Sequence, residues 1–318
     1  MTFHYHAGGT PLLEEIIKTH PHNVTYFVDF DDCLDKSTVR ALNDEQKQIA
    51  ENLLSEFQSL LSLEGYGEIK TEIKTLEKFY EALDLNQPFA FVGKPCDISA
   101  IRLLSKTDSR VNKLCKFLLT LVCGGFAEFT KAQDFIESFK VKEDELSIFR
   151  YRGYGNPGRM YIKTKDGREY DREYNSFWGE ESTWRVPFRC KICPDAIGES
   201  SDVAALDTWR GGSPKGEDEG FNAAIVRTKK GLDLMNDAAK AGFIHIGDKL
   251  KIADISDFQP HQVNKKKAVY ARHQGMKKNN SPTINTRGLR IEELSKLNSN
   301  EFNQKEESGV TSRIKKIK

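Results

Sequence analysis

Two cysteines three positions apart, Cys190 and Cys193, carry the clearest chemical signal in this sequence. They stand in the stretch FRCKICPD, where Pro194 directly follows the second thiol. Thiols at this spacing can hold zinc, exchange a disulfide or ligate an iron–sulfur cluster. Cys96, in VGKPCD, and Cys123, in VCGG, also follow apolar stretches and adjoin proline or glycine. Four thiols in such loops favour a metal centre over a set of core cysteines.

The positions of these thiols distinguish the possible centres. A structural zinc site usually joins two closely spaced ligand pairs, whereas Cys96 and Cys123 are far apart in the chain. Thiolates from three separate loops suit a cuboidal iron–sulfur cluster better. A thioredoxin-like dithiol is expected at the head of a helix, and RCKICPDAIG indicates no clear helix. Zinc therefore remains a competing interpretation, while Cys115, in the apolar NKLCKFLL, is predicted to be a core residue.

Charged residues beside the thiols add two expectations. Lys94, Arg189 and Lys191 adjoin them in sequence, and nearby positive charge lowers the pKa of a thiol. We therefore expect thiolates at these positions. Three acidic residues after the cysteine loop either orient the bound groups or only keep the loop soluble; they are Asp195, Glu199 and Asp202.

Two glycine-rich segments on either side of the cysteine loop suggest a cofactor site. FRYRGYGNPGR combines arginines, tyrosines and glycines, and LDTWRGGSPKGEDEGFN adds an indole and a Gly-Gly turn. Glycines let the backbone approach a phosphate, arginines neutralise it, and tyrosines stack on a planar ring. We therefore predict a dinucleotide and flavin cradle. Its candidate residues are Lys94, Arg150, Arg152, Gly153, Tyr154, Gly155, Asn156, Trp209, Gly211, Gly212, Ser213 and Asn222.

Alternating apolar and amphipathic stretches predict the elements that position these residues. VTYFVDF, QPFAFVG, KFLLTLVC and NAAIVRT are typical of strands, and KPCDISAIRLLSK and KKGLDLMNDAAKAG of helices. Asp166 and Gly167 indicate a hairpin turn. The order favours an α/β fold with a mixed sheet. We divide the chain into an α/β region with helical content at 1–84, a flavin and iron–sulfur domain at 85–262, and a basic, partly disordered segment at 263–318.

Composition restricts the functional class. With 318 residues, 38% of them hydrophobic and 30% charged, the chain can bury a sizeable core beneath a polar surface. No apolar run approaches the roughly 18 residues of a membrane span, and no secretory signal is recognisable, so we expect a cytoplasmic protein with reduced thiols. The net charge is only +1, yet the chain from Lys265 onward is strongly basic. That segment lacks interleaved aromatic residues, which argues against nucleic-acid binding.

The segments that carry these residues also resemble a known family. FVGKPCDISAIRLL, FRYRGYGNPG, FRCKICPDAIGESSDVAALDTWRGGSPKGEDEGFNAAIVRT and QPHQ recur in order over residues 85–275. Together they closely resemble the beta-subunit family of coenzyme F420 hydrogenase/dehydrogenase. Similar proteins include 7-hydroxymethyl chlorophyll a reductase and a divinyl-chlorophyllide vinyl reductase.

The resemblance implies specific cofactors. It implies FAD and a 4Fe-4S cluster, with Cys96, Cys123, Cys190 and Cys193 as the cluster ligands and the RYRGYGN and DTWRGGS segments near the flavin. Electrons would pass between a low-potential donor and a small-molecule redox substrate such as coenzyme F420 or another organic acceptor. The chain shows no ferredoxin-like run of C-x-x-C-x-x-C. We therefore expect a ferredoxin or another electron-carrier protein or subunit as its partner.

Two readings from other classes stay open. The stretch VTYFVDFDDCLD resembles the nucleophile motif of haloacid-dehalogenase-type phosphatases, with Asp29 as nucleophile and Asp31 as acid around magnesium. A second acidic pair would then come from Asp248 and Asp254. Alternatively, the chain is a non-catalytic electron-transfer or structural subunit of a larger complex. A loose group of histidines near the start is expected to be exposed rather than metal-binding: His4, His6, His20 and His22.

Overall fold

The computed structural model describes residues 24–27, 78–127, 129–180, 185–216 and 221–317. Within these ranges the strands form two sheets, one of five strands and one of three. The strands are β1 (Val24–Phe27), β2 (Phe89–Gly93), β3 (Cys115–Leu121), β4 (Leu146–Arg150), β5 (Met160–Thr164), β6 (Glu169–Arg172), β7 (Val203–Asp207) and β8 (Asn222–Val226).

Helices follow most of these strands. They are α1 (Pro95–Leu104), α2 (Ser109–Leu114), α3 (Phe129–Glu137), α4 (Asn175–Trp178), α5 (Phe188–Lys191), α6 (Lys229–Lys240), α7 (Ile252–Phe258), α8 (Pro260–Lys278), α9 (Ile291–Ser295) and α10 (Asn300–Ile317). Residues 78–84 are also helical, and Glu143–Glu145 and Arg210–Gly212 form short 3-10 turns. None of the described helices combines the length and apolar character that crossing a membrane would require.

The larger sheet is mixed and has the order β1-β2-β3-β7-β8. Its first four strands run parallel, and β8 pairs antiparallel with β7 at one edge. Parallel strands covered on both faces need continuous apolar runs. The runs FAFVG in β2 and VAALD in β7 meet this need, and Phe89, Phe91 and Val203 are each only 1% exposed. The α/β fold with a mixed sheet expected from the sequence is therefore confirmed.

Helices cover both faces of this sheet. Phe79, in the helical segment 78–84, contacts Phe89 and Phe91 edge to face, with ring centroids 5.5 Å apart in each pair. On the other side, Leu234 and Ala238 of α6 pack in one apolar cluster with strands β3 and β7. The sheet core is thus filled, and the carboxyl ends of its parallel strands remain for the loops that carry polar and thiol groups.

The smaller sheet is antiparallel, in the order β4-β5-β6. Its apolar face holds Ile162 against Ile136 and Val141, with Phe139 and Tyr170 at the margin. The turn between β5 and β6 contains Gly167 with φ of +91°. The hairpin expected at Asp166 and Gly167 is therefore confirmed. This sheet presents the glycine-rich loop between β4 and β5 toward the end of β7.

The end of the chain differs from the expectation. A partly disordered basic tail is predicted over 263–318, but the described residues there form α8, α9 and α10. Val310 and Ile314 of α10 are at most 1% exposed and pack with Met276 of α8. Gly275 lets α10 approach, because an added Cβ would lie 2.6 Å from the Glu307 carbonyl oxygen. Burial of this apolar seam stabilises helices whose outer faces are highly charged.

Candidate metal and cofactor site

The four candidate thiols lie on loops that meet at one edge of the larger sheet. Cys96 is the second residue of α1, just after β2, and Cys123 follows β3. Because β2 and β3 are parallel neighbours, both thiols leave the sheet at its carboxyl edge. The Cys123 N–H donates to the Ala196 carbonyl oxygen at 2.8 Å, which joins this edge to the loop after Cys193.

The loop that carries the other two thiols lies against the same segment. Cys190 belongs to the single helical turn α5, which the sequence did not predict, and Cys193 follows it. A Cβ added at Gly125 would lie 3.8 Å from the Cys190 Cβ, so the VCGG segment and the cysteine loop are in contact. Cys193 donates its thiol hydrogen to the Asp195 carbonyl oxygen at 3.2 Å. The structure thus brings all four candidate ligands together.

Electrostatic coupling of the thiols gives a second measure of their proximity. Burial raises the pKa of Cys96, and negative charge on Asp97, Cys123 and Cys193 raises it further, while Lys94 opposes this rise. Burial also raises the pKa of Cys123 and Cys193, with positive Lys265 opposing it in both cases. The expectation that neighbouring cations lower these pKa values is wrong for the three thiols, because burial outweighs charge. A metal must therefore displace protons from them to bind.

The arrangement fits a cluster better than a single ion. Within the described ranges, no three side chains of His, Cys, Asp or Glu are grouped as a metal ion would require. Tetrahedral zinc holds its sulfurs about 3.8 Å apart, given Zn–S bonds of about 2.3 Å. A 4Fe-4S cube has four iron corners for four thiolates and occupies the space between them. Four coupled thiols without a tight trio match that requirement.

The three acidic residues after Cys193 have structural partners. Asp195 accepts hydrogen bonds from the backbone N–H of Ile197 and Glu199, which shapes the turn. Glu199 forms an ion pair with Lys266 of α8. Asp202 is fully buried, so the solubility role is wrong for it. It pairs with Arg102 at 3.0 Å and with Lys230 at 2.9 Å, and thereby ties α1 and α6 to the sheet.

The glycine-rich loop between β4 and β5 exposes one aromatic ring. The Tyr154 residue is 96% exposed and has a φ of +56°, a region that residues with a Cβ rarely adopt. Gly158 permits the loop to close, because an added Cβ would lie 2.1 Å from the Gly153 carbonyl oxygen. The Arg150 guanidinium lies 4.4 Å from the Tyr154 ring and 4.8 Å from that of Tyr161. An exposed ring on a constrained backbone is available for stacking on a planar ligand.

Arg152 connects this loop to the second glycine-rich segment. Its guanidinium donates to both carboxylate oxygens of Asp207 at 2.9 Å and to the Asn156 side-chain oxygen at 3.3 Å. It also lies over the ring of Trp209, at 4.7 Å, and near that of Tyr174, at 5.7 Å. Burial raises the pKa of Tyr174 to about 12. Candidate residues more than fifty positions apart in the sequence therefore form one contact group.

Three donors in this region lack a hydrogen-bond partner among the described residues. They are the Arg150 Nε, the Asn156 Nδ2 and the Trp209 Nε1, and protein atoms cover each of them. Buried polar atoms are normally paired, and leaving one unpaired costs about 1–3 kcal/mol. The phosphate, carbonyl and ring nitrogen atoms of a dinucleotide are acceptors of the kind these donors need. The residues present therefore fit the predicted flavin cofactor.

The remaining candidates lie around this group. Gly211 and Gly212 both have positive φ, and a Cβ on Gly212 would come within 2.8 Å of Pro260, at the start of α8. Asn222 begins β8 and pairs with Asp207 in register. Lys94 stands apart from the two glycine-rich loops, at the start of α1 beside Cys96. The other candidates lie within those loops: Gly153, Gly155 and Ser213.

Several residues at the site were missed by sequence reasoning. Asp207 and Tyr174 hold Arg152, and Gln259 donates to the Asp207 carbonyl oxygen at 3.0 Å. Lys265 of α8 supplies the positive charge that acts on Cys123 and Cys193. Only the QPHQ motif signalled α8, because its charged sequence is otherwise typical of a solvated helix.

The competing phosphatase site is only partly within the described ranges. Asp29 and Asp31 lie outside the described residues, as do the four histidines near the start. Asp254 accepts from the Lys251 N–H at 2.9 Å and so caps the first turn of α7. Asp248 is exposed in an irregular segment. The described part of the chain therefore offers no assembled acidic pair for this chemistry.

Comparison with known proteins places this site in a family. Residues 86–251 match the model of the C-terminal part of the coenzyme F420 hydrogenase/dehydrogenase beta subunit, and this range contains all four thiols and both glycine-rich segments. The F420-dependent formate dehydrogenase subunit beta of Methanocaldococcus jannaschii is 26% identical over 161 residues, which cover 51% of this chain and 39% of that protein. The chain thus spans well under half of that relative's length.

A solved structure is also similar. The F420-reducing nickel–iron hydrogenase complex from Methanosarcina barkeri contains a chain that aligns with a TM-score of 0.43 and 15% identity, over 63% of this chain and 65% of that one. Since the family match extends over more than half of the sequence, the chain belongs to the coenzyme F420 hydrogenase/dehydrogenase beta-subunit family.

Proposed function

We propose that this chain is an iron–sulfur flavoprotein oxidoreductase. It passes electrons between a low-potential donor, such as ferredoxin or reduced coenzyme F420, and an acceptor. The observation that carries the proposal is the meeting of the four thiols next to the Arg152 group. β3 and β7 are parallel neighbours, and their carboxyl ends lead to Cys123 and to Asp207. Both candidate cofactor positions therefore share one edge of the sheet.

The cofactors that fit these residues are a 4Fe-4S cluster and FAD. Cys96, Cys123, Cys190 and Cys193 would hold the cluster. The loops containing Arg150 to Asn156 and Trp209 to Ser213, with Asn222 beside them, would hold the flavin nucleotide. When bound, the cluster would supply one-electron transfer and the flavin its conversion to two-electron chemistry.

The chain's own residues contribute binding and charge. Lys94 and Lys265 place positive charge beside the thiols, which favours a negatively charged centre there. The Arg152–Asp207 pair fixes the relative position of the two loops, and Tyr154 offers a ring for stacking on a planar group. No side chain is assigned as a general acid or base, because electron transfer needs none at these positions.

Coenzyme F420 is the small-molecule substrate that best matches the relatives. The formate dehydrogenase subunit and the hydrogenase complex both carry F420 in their names. Both are also described as part of a larger assembly, so we propose an electron-carrier protein or a partner subunit for this chain. The same reasoning keeps a purely electron-transferring subunit as the second candidate function.

The test uses the full chain purified without oxygen and reconstituted with FAD, iron and sulfide. Reduced coenzyme F420 is added, and the flavin absorbance is followed. The proposal predicts bleaching of the flavin in the wild-type protein and turnover when an artificial electron acceptor is supplied. Bleaching without turnover would favour the electron-transferring subunit. A protein that binds neither FAD nor iron would contradict both.

A matched pair of variants separates the cluster from the fold. Cys190→Ser removes a candidate ligand, whereas Cys115→Ser alters a buried thiol outside the group, whose pKa burial raises to about 12. We expect loss of electron transfer only for the first. Equal loss in both variants would point to unfolding, which circular dichroism would detect independently.

A further inference from the structure

Helix α8 reaches the loop between Cys190 and Cys193. The Arg272 Nη1 donates to the Lys191 carbonyl oxygen at 2.6 Å. The His273 Nε2 lies 3.0 Å from the Ile192 carbonyl oxygen, and it must carry a hydrogen because a carbonyl can only accept. Two consecutive residues of α8 thus bind the two consecutive carbonyls between the cysteines. The family match ends at residue 251, before α8 begins.

Both contacts satisfy groups at a helix end. α5 is a single turn that ends at Lys191, and the last carbonyls of a helix have no donor within that helix. The donors are themselves shielded from water, since His273 is 3% exposed and the Arg272 side chain 16%. A shielded hydrogen bond fixes the plane of the peptide that it binds. The directions of the two flanking thiols follow from those planes.

The loop is also anchored through its apolar residue. Ile192 is 8% exposed and packs in one cluster with Met276 of α8 and with Val310 and Ile314 of α10. Arg272 is braced from the other side, because its Nε donates to the Glu306 carboxylate at 2.7 Å. The segment between the two cysteines is therefore inserted into the core formed by the C-terminal helices.

We propose that Arg272 and His273 are positioning residues of the cluster site. They hold the Cys190–Cys193 loop in the form that presents both thiols toward Cys96 and Cys123. The C-terminal helices are therefore part of the site and not an appendage to it. This inference rests on the proposed function, because it assumes that the thiols hold an iron–sulfur cluster.

The test measures how firmly the cluster is held. Wild-type protein, His273→Leu and His273→Gln are reconstituted with iron and sulfide without oxygen, and iron loss to the chelator ferrozine is followed. Removing a supporting contact of a metal ligand usually weakens metal binding by a factor of about 10–100, so we expect His273→Leu to lose iron about tenfold faster. His273→Gln keeps an N–H donor for the Ile192 carbonyl and should recover most of the wild-type retention.

Further variants exclude a general effect on folding. Arg272→Gln, at a partly exposed position, should also accelerate iron loss. Lys278→Gln removes another ion pair between α8 and α10, the one to Glu307 at 2.5 Å, without touching the cysteine loop. It should retain iron like the wild type. The electron paramagnetic resonance spectrum of the reduced cluster should change in His273→Leu and stay unchanged in Lys278→Gln.

The outcomes separate this inference from the proposed function. Iron retention and spectra equal to wild type in both His273→Leu and Arg272→Gln would overturn the positioning role and leave the proposed function intact. Equal acceleration in Lys278→Gln would overturn it as well, because the effect would then come from general loosening of the helices. A wild-type protein that binds no iron would overturn the proposed function and this inference together.

Discussion

Arg152 and Asp207 form a two-fold hydrogen-bonded ion pair, with both nitrogen–oxygen distances at 2.9 Å. The two side chains are 12% and 23% exposed, so water screens the pair only in part. Arg152 lies in the loop between β4 and β5, and Asp207 ends β7. This one contact therefore joins the smaller sheet to the carboxyl edge of the larger sheet, where the candidate thiols lie.

Replacing Arg152 with lysine should weaken FAD binding. Lysine keeps the charge but cannot donate to both Asp207 oxygens in parallel, so the two loops lose their fixed spacing. We expect about a tenfold increase in the dissociation constant for FAD, from a lost charged hydrogen bond of about 1.5 kcal/mol. Flavin fluorescence quenching measures it. Arg159→Lys, in the same loop but paired with exposed Asp171, is the control and should bind FAD like the wild type.

Tyr154 should matter for binding and not for folding. Its residue is 96% exposed and its backbone has a positive φ, so Tyr154→Gly removes ring and strain together. The free energy of unfolding should change by less than about 1 kcal/mol. Affinity for FAD or coenzyme F420 should fall about tenfold, the value of one stacking contact. Tyr154→Phe keeps the ring and should bind normally; weak binding by it would exclude stacking as the cause.

Asp202 should be a stability residue without a role in electron transfer. Asp202→Asn leaves Arg102 and Lys230 facing an uncharged, fully buried group. Because both cations are partly exposed, we expect a loss of about 2–4 kcal/mol in the free energy of unfolding, measured by urea denaturation. Asp233→Asn breaks an exposed pair with Lys229 and should cost less than about 1 kcal/mol. A stable Asp202→Asn protein with altered cluster spectra would contradict this assignment.

Tyr174 gives a pH dependence with a definite sign. Burial raises its pKa to about 12, so the folded protein favours the neutral phenol. The stability that this contributes is fully present below the unfolded pKa of about 10 and is lost as the pH rises toward 12. Compared with Tyr174→Phe, wild-type protein should therefore lose unfolding free energy between about pH 10 and pH 11. Parallel curves for the two proteins would show that Tyr174 is not shielded.

The sequence predicted the elements whose apolar runs are continuous and local. Strands β2, β3, β7 and β8 follow from such runs, and the hairpin follows from Gly167. The ordered C-terminal helices were missed because their contact face is made of small residues such as Ala268, Ala271 and Gly275, which give a weak apolar signal. Packing of those residues becomes visible only when α8 and α10 are side by side.

The candidate site shows the same limit. The thiols were found because their residue type and local loops are distinctive. The raised thiol pKa values were not foreseen, since burial depends on loops distant in the sequence and outweighs Lys94 beside Cys96. Arg272 and His273 contact the cysteine loop from a helix about eighty positions later. No local pattern in the sequence indicates such contacts.

The most direct measurement is the iron and sulfide content of the protein purified without oxygen, together with its absorbance spectrum. We predict about four irons and four sulfides per chain and a broad visible shoulder beneath the flavin bands. The shoulder should vanish in Cys190→Ser and persist in Cys115→Ser. A colourless protein that holds zinc or no metal, or a Cys190→Ser variant with unchanged iron, would contradict the claim that these four thiols hold an iron–sulfur cluster.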